Sequence, residues 1–218
     1  MKRSLPSAIL LVILCLLASC GVHQKFRQAE FSRDVESAID SVCQHYMDKG
    51  HFPGMAVAVV TQDRKLWSKG YGYSDIDSKR PIDPKRDRFR IGSISKSVTA
   101  SALARLVEDN KIDLDAPIRR YYRDCPADKA DLTLRQLGGH LACIRHYNGF
   151  EFFSNIAYDN VIDPLQVFIH DTLICVPGEE FRYSTYSYSL VSALMEMATG
   201  TPFPEILQQE VFRPLDLK

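Results

Sequence analysis

An α+β fold is predicted by three features of this 218-residue sequence: an early helical spacing of apolar residues, a pair of apolar strands behind it, and a long, mainly helical remainder. Phe31, Val35, Ile39, Val42 and Tyr46 recur at steps of three and four, and Gly50 follows as a C-terminal stop. That spacing predicts a helix packed through this face. Phe52-Pro53-Gly54 breaks the chain before Met55–Val60, a continuous apolar run expected of a strand buried on both faces. Gln62-Asp63-Arg64 reads as a polar tip and Leu66–Tyr73 as the returning strand, so the pair forms an antiparallel hairpin.

A polar loop with Pro81 and Pro84 leads to Phe89-Arg90-Ile91-Gly92, and a helical pattern then runs from Ser93 through Val98, Ala102, Leu103 and Leu106 towards Asp109. Ser93 therefore stands at a helix N-terminus. Lys111 to Gly149 holds short helical stretches and Pro-containing turns, among them Leu132–Leu137. A second long helix is expected from Ser184 to Ala198 through Leu190, Val191, Leu194 and Met197, closed by Gly200, and Phe203–Val211 forms a last amphipathic piece. One hairpin cannot stand alone as a sheet, so either further strands are missing from this sequence or the hairpin pairs elsewhere.

Lys2 and Arg3 precede an apolar run from Ala8 to Ala18 that is too short to span a bilayer, which marks residues 1–19 as a secretory signal. Leu17-Ala18-Ser19-Cys20 resembles the lipobox of bacterial lipoproteins, which implies lipidation at Cys20 and anchorage to a membrane through several acyl chains. Gly21 rather than Asp after the Cys implies, by the same resemblance, the outer membrane facing the periplasm in a cell that has one. Residues 20–29 then read as a tether and 30–218 as one folded domain, long enough for a core.

Lys plus Arg, 27, equal Asp plus Glu, 27, so net charge supplies no attraction to nucleic acid. Cys43, Cys125, Cys143 and Cys175 would sit in an oxidising compartment, where four thiols allow three full pairings that the sequence does not rank. His23, His45, His51, His140, His146 and His170 show no ligand spacing, so no metal or cofactor is expected and these side chains read as packing or surface residues.

Two constellations carry chemistry. Ser93 and Lys96 are three apart on one helix, hence on one face, where the amine can lie beside the hydroxyl. A serine hydroxyl is a weak nucleophile until a neighbour takes its proton, and Lys96 can do so only as the neutral amine, which asks for burial and positive potential such as a helix N-terminus supplies. Further on, Phe181-Arg182-Tyr183-Ser184-Thr185 opens the second long helix, and the Tyr183 phenol can relay a proton between Ser93, Lys96 and a leaving group.

The ordered set Phe52-Pro53-Gly54-Met55-Ala56-Val57-Ala58-Val59-Val60, Gly70-Tyr71-Gly72-Tyr73, Arg90 to Lys96, Leu132 to Leu137, Pro177-Gly178, Phe181 to Thr185, Thr199-Gly200 and Pro214-Leu215 resembles the class C β-lactamase, penicillin-binding-protein and esterase family. Gly139 to Tyr147 is similar to the branch that includes the mitochondrial serine β-lactamase-like proteins. The resemblance implies the N-terminal portion of the β-lactamase/transpeptidase-like fold, an antiparallel sheet flanked by helices. It also implies Ser93 as acylated nucleophile, Lys96 as activating base, Tyr183 as second-motif tyrosine and Thr185 as a substrate-binding residue.

Two residues depart from the family pattern: Thr185 stands where many members have Asn, and Cys143 where Gly is usual. The third motif, a Lys- or His-containing triplet ending in Gly, has no counterpart before Lys218. Two readings follow: a serine hydrolase of peptides, β-lactams or small esters, or a truncated relative that binds cell-wall peptide or a protein partner. Residues 21–218 alone are expected to fold poorly and not to turn over substrate.

Overall fold

A computed structural model describes residues 27–63 and 65–217, which divide after Phe89 into two compact units. The signal segment, Cys20 and most of the stretch read as a tether lie outside the described residues.

The first unit is a small sheet with a helix on it. The strands are β1 (Arg27–Gln28), β2 (Gly54–Val60), β3 (Lys65–Asp75) and β4 (Arg80–Pro81), and the helix is α1 (Arg33–Gly50). The strand order is β1-β3-β2, with β4 also on β3, and β2 and β3 form the expected antiparallel hairpin, Val57 facing Lys69. β1 runs parallel to β3, and the neighbouring Ala29 is buried, so pairing begins inside the segment read as a tether. Gly70 and Gly72 are required by close approach: a Cβ at Gly70 would collide with the Ile82 carbonyl, and Gly72 adopts φ 66° against Pro53.

Two sequence expectations are corrected here. The period of α1 is helical, but its phase is off by one residue. Cys43 and Met47 are buried while Val35, Val42 and Tyr46 are exposed. The cause lies in β3, which presents polar groups to the helix: the Trp67 indole donates to Glu36 (3.1 Å), Lys69 pairs with Asp40 (2.7 Å), and the Tyr71 hydroxyl donates to Asp40 (2.8 Å). Glu36, Asp40, Cys43 and Met47 therefore form the facing stripe. Strand β2 is likewise not buried on both faces among the described residues. Met55, Val57 and Val59 lie opposite Tyr71, Lys69 and Trp67, on the face that meets α1, while Ala56, Ala58 and Val60 are exposed.

The second unit, from Arg90, is helical. Helices α2 (Ile94–Glu108), α3 (Leu134–Gly138), α4 (Thr185–Thr199) and α5 (Phe203–Leu207) are joined by 3₁₀ turns at Ile118–Arg120, Gly149–Phe153 and Asp163–Val167 and closed by a π turn at Gln208–Phe212. α4 is the central element. Leu190, Val191, Ala193, Leu194 and Met195 are all fully buried, so this stretch is enclosed all round rather than on one stripe. Ser184 caps the start of α4 by accepting from the Ser187 N–H (3.2 Å), and Gly200, at φ 67°, ends it in the left-handed region.

The cysteine question resolves in this unit. Cys143 and Cys175 are disulfide-bonded, while Cys43 and Cys125 are free thiols. Cys143 has φ 56°, a left-handed conformation that disfavours a side chain. Glycine adopts this conformation freely, whereas a cysteine is held in it against its own preference. We predict that Cys143→Gly/Cys175→Ser will be more stable than Cys143→Ser/Cys175→Ser by about 1 kcal/mol, since both lack the bridge but only the first relieves the backbone. Urea melts of the two variants check this. Equal midpoints would remove the left-handed constraint as the cause.

Candidate active site

The site forms where the N-termini of α2 and α4 meet. Ser93 is the N-cap of α2, a position where serine ordinarily bonds an early helix amide through its side chain. Ser32 and Ser184 do this at α1 and α4, and Thr133 does it at α3. Ser93 does not: it has helical φ −68° and ψ −10°, and no side-chain cap bond. Its Oγ instead lies 2.7 Å from the Tyr183 hydroxyl and accepts from Lys96 Nζ at 3.3 Å. Giving up a cap costs about 1 kcal/mol, so the hydroxyl is held for something other than helix stability.

Lys96, half-buried one turn into α2, also donates to Thr185 Oγ1 at 3.2 Å and lies 5.0 Å from the centre of the Tyr183 ring. Thr185 thus binds the lysine in this structure, so its hydroxyl is engaged inside the cluster. The Tyr183 phenol is drawn below its ordinary value, first by its hydrogen bond with Lys96 and then by that with Ser93, against a smaller opposing effect of burial. All four sequence-nominated residues, Ser93, Lys96, Tyr183 and Thr185, are therefore in one hydrogen-bonded group. The Ser93 N–H, ahead of the i→i−4 ladder, is at the end of α2 where amides lack an intrahelical acceptor and the helix potential is positive.

Two residues read as scattered histidines belong to the same site. His140 Nδ1 accepts from the Ser184 N–H (3.3 Å) and His146 Nδ1 from the Thr185 N–H (3.2 Å), so two of the first amides of α4 end on imidazoles. Their rings flank Tyr183, with centroids 4.6 Å and 5.5 Å away. The segment that carries them is anchored by Arg145, which donates to Asp171 (2.6 Å), to both oxygens of Glu151 (2.7 and 3.0 Å), and to the carbonyls of His146 (3.0 Å) and Val167 (3.1 Å). The five bonds match the five N–H donors of a guanidinium. No spacing rule could have flagged the histidines, because each meets α4 across about forty residues of chain.

Ser93, Lys96, Tyr183, Thr185 and His146 line one cleft of about 420 Å³. Among the described residues no group of three His, Cys, Asp or Glu side chains is placed to hold a metal ion, and no helix is long and apolar enough to cross a membrane.

The Beta-lactamase family profile matches residues 39–218. The chain belongs to that family. Among curated Beta-lactamase relatives it is 28% identical to the human serine beta-lactamase-like protein LACTB, mitochondrial, over 86% of this chain and 46% of that protein. Among solved structures, the D-amino acid amidase of Ochrobactrum anthropi SV3 has a TM-score of 0.69 at 26% identity, over 85% of this chain and 52% of that one. The octameric penicillin-binding protein homologue of Pyrococcus abyssi has a TM-score of 0.72 at 22% identity, over 83% of this chain and 43% of that one, a likeness of fold. The chain thus has the N-terminal part of the β-lactamase/transpeptidase-like fold and spans about half the length of the curated relatives it matches.

Burial, and then the charge of Lys96, lower the proton affinity of both His140 and His146. A histidine depressed in the folded state adds stability above its unfolded value near 6.5 and loses it as pH falls through the lower folded value. Both rings are therefore expected to be neutral, with the proton on Nε2, at pH 7, and to titrate below 6.5. Imidazole ¹⁵N shifts followed through pH test this. Titration above 6.5, or a proton on Nδ1 at neutral pH, would contradict the amide-to-imidazole bonds.

Proposed function

We propose that this chain carries the nucleophilic centre of a serine hydrolase that cleaves an amide or ester through an acyl-serine intermediate. The single observation that carries the reading is that Ser93 leaves its capping role and turns its Oγ onto Tyr183 and Lys96. Membership of the Beta-lactamase family and likeness to a D-amino acid amidase support an amide or ester as the scissile group.

In this reading Ser93 Oγ attacks the substrate carbonyl carbon, and its proton passes into the Tyr183–Lys96 pair. Tyr183 acts as the phenolate, which the neighbouring Lys96 ammonium favours; it takes the Ser93 Oγ proton and becomes the phenol, while Lys96 stays cationic beside it. The tetrahedral oxyanion faces the Ser93 N–H at the positive end of α2. Return of the proton to the departing nitrogen or oxygen breaks the scissile bond and leaves an ester on Ser93. Water, deprotonated by the same pair, then attacks that ester, and return of the proton to Ser93 Oγ breaks the acyl bond and releases the acid. Thr185 positions Lys96 through its hydroxyl, while His140 and His146 hold the end of α4 that carries Tyr183.

In the full-length protein a fluorophosphonate is expected to label Ser93, Ser93→Ala to abolish labelling, and Lys96→Ala to slow acylation by about 10² to 10⁴. Peptide mapping locates the adduct. An adduct on Ser95 or Ser184 would refute the assignment, and no adduct at all would favour a role in binding rather than catalysis.

We also propose that the protein works at the cell envelope, held by lipid on Cys20 and facing the periplasm where an outer membrane exists. The short apolar run ahead of Leu17-Ala18-Ser19-Cys20 supports this. Labelled palmitate should enter the wild-type protein and be lost in Cys20→Ala, whereas equal labelling of both would exclude the anchor.

A further inference from the structure

Beside the Ser93 cleft lies a feature that the proposed chemistry leaves unexplained. The 3₁₀ turn Gly149–Phe153 presents Phe150, Phe152 and Phe153 to the outside, 88%, 66% and 70% exposed. Three phenylalanines exposed together on one turn are costly to leave in water.

The turn is also fixed in place. Glu151, at its middle, accepts from the Arg145 guanidinium through both oxygens, from the Asn148 N–H (2.7 Å) and from the Tyr186 hydroxyl (2.9 Å). Arg145 and the Asn148 amide hold the Glu151 carboxyl down to about 2, so it stays ionised and bonded at any ordinary pH. The aromatic side chains thus project from a pinned backbone.

Phe152 is continuous with the reacting group. Phe152 packs edge-on against Tyr147 (5.7 Å between centroids), which in turn lies 4.4 Å from the His146 ring and 5.2 Å from that of Tyr186. Tyr147 and Phe152 line the same cleft as Ser93, and Tyr188 and Phe203 add further aromatic surface. Among the residues lining that cleft Lys96 is the single formal charge, with no Asp, Glu or Arg. Its volume of about 420 Å³ falls within the range of small-ligand sites.

From these observations we propose that Tyr147 and Phe152, with the Gly149–Phe153 turn, form an acyl-group subsite that selects an uncharged aromatic or bulky apolar substituent on the carbonyl that Ser93 attacks. The proposal rests on the hydrolase reading and adds the substrate class. An apolar group entering the cleft is desolvated against rings already in place, so little ordering is lost on binding. Among the described residues a charged substituent finds no counter-ion in the cleft except Lys96, which is engaged with Ser93 and Thr185.

The test uses the full-length protein and three p-nitrophenyl esters that differ in the acyl group: acetate, phenylacetate and the monoester of succinate. Ser93→Ala controls for hydrolysis elsewhere on the protein. The expected kcat/KM for phenylacetate exceeds those for acetate and succinate by about 10- to 100-fold, as burial of one aromatic ring allows. In Phe152→Ala the ratio of phenylacetate to acetate should fall at least about fivefold, a readout that misfolding alone does not move. Absence of Ser93-dependent hydrolysis of all three esters would end the hydrolase reading and the subsite with it. Hydrolysis without preference, or a preference that survives both Phe152→Ala and Tyr147→Leu, would overturn the subsite while the hydrolase reading stands.

Discussion

Two helix N-termini, from segments ninety residues apart, must be held within one hydrogen bond of each other, and the second unit is organised around that requirement. Helix ends carry unpaired amides and positive potential, so bringing two together is unfavourable unless the amides find partners. Here Ser184 Oγ takes one amide of α4, and His140 and His146 take two more. Neutral imidazoles suit this position. They accept hydrogen bonds without adding positive charge beside Lys96, and their own burial, with the charge of Lys96 second, favours the neutral form.

Those acceptors are only as well placed as the segment that bears them, which explains the density of polar contacts at Arg145. This side chain joins the histidine segment to Asp171, to Glu151 and to the Val167 carbonyl. Asp171 is itself tied in from below, where the fully buried Lys129 donates to its carbonyl at 2.6 Å and to Asp128 at 2.7 Å. The Cys143–Cys175 bridge fastens the same segment covalently, and in a loop-closure view a cross-link spanning 32 residues contributes about 3 to 4 kcal/mol. A left-handed backbone at Cys143 is tolerable within such a frame, because the surroundings and not the residue's own preference set the conformation.

Beneath the site the enclosed middle of α4 supplies the rigidity. Tyr186, the second residue of that helix, stacks on Phe168 at 4.5 Å and donates its hydroxyl to Glu151, so the core and the polar frame share a residue. Burial and that hydrogen bond raise the Tyr186 phenol to about 12, which keeps it a donor. Tyr183, three residues earlier on the exposed helix entrance, is moved the opposite way by Lys96. The same side-chain type is thus given a structural and a chemical setting within one turn of helix.

The sequence by itself determined the elements and the polar group at their ends. Helix and strand periods, the Ser93 helix entrance, the Ser93–Lys96 spacing and the Tyr183 helix entrance are all local, set by backbone geometry over a few residues. Tertiary structure decided partners. Which stripe of α1 faces the sheet turned on polar groups of β3, and the pairing of Cys143 with Cys175, the place of His140 and His146, and the pinning of the aromatic turn turned on contacts across tens of residues. Periodicity states that a helix has a face but leaves its rotation open, and a histidine acquires a role only when a distant helix end is brought to its ring nitrogen. Such contacts are chosen by the packing of the whole unit, and no short stretch of sequence contains them.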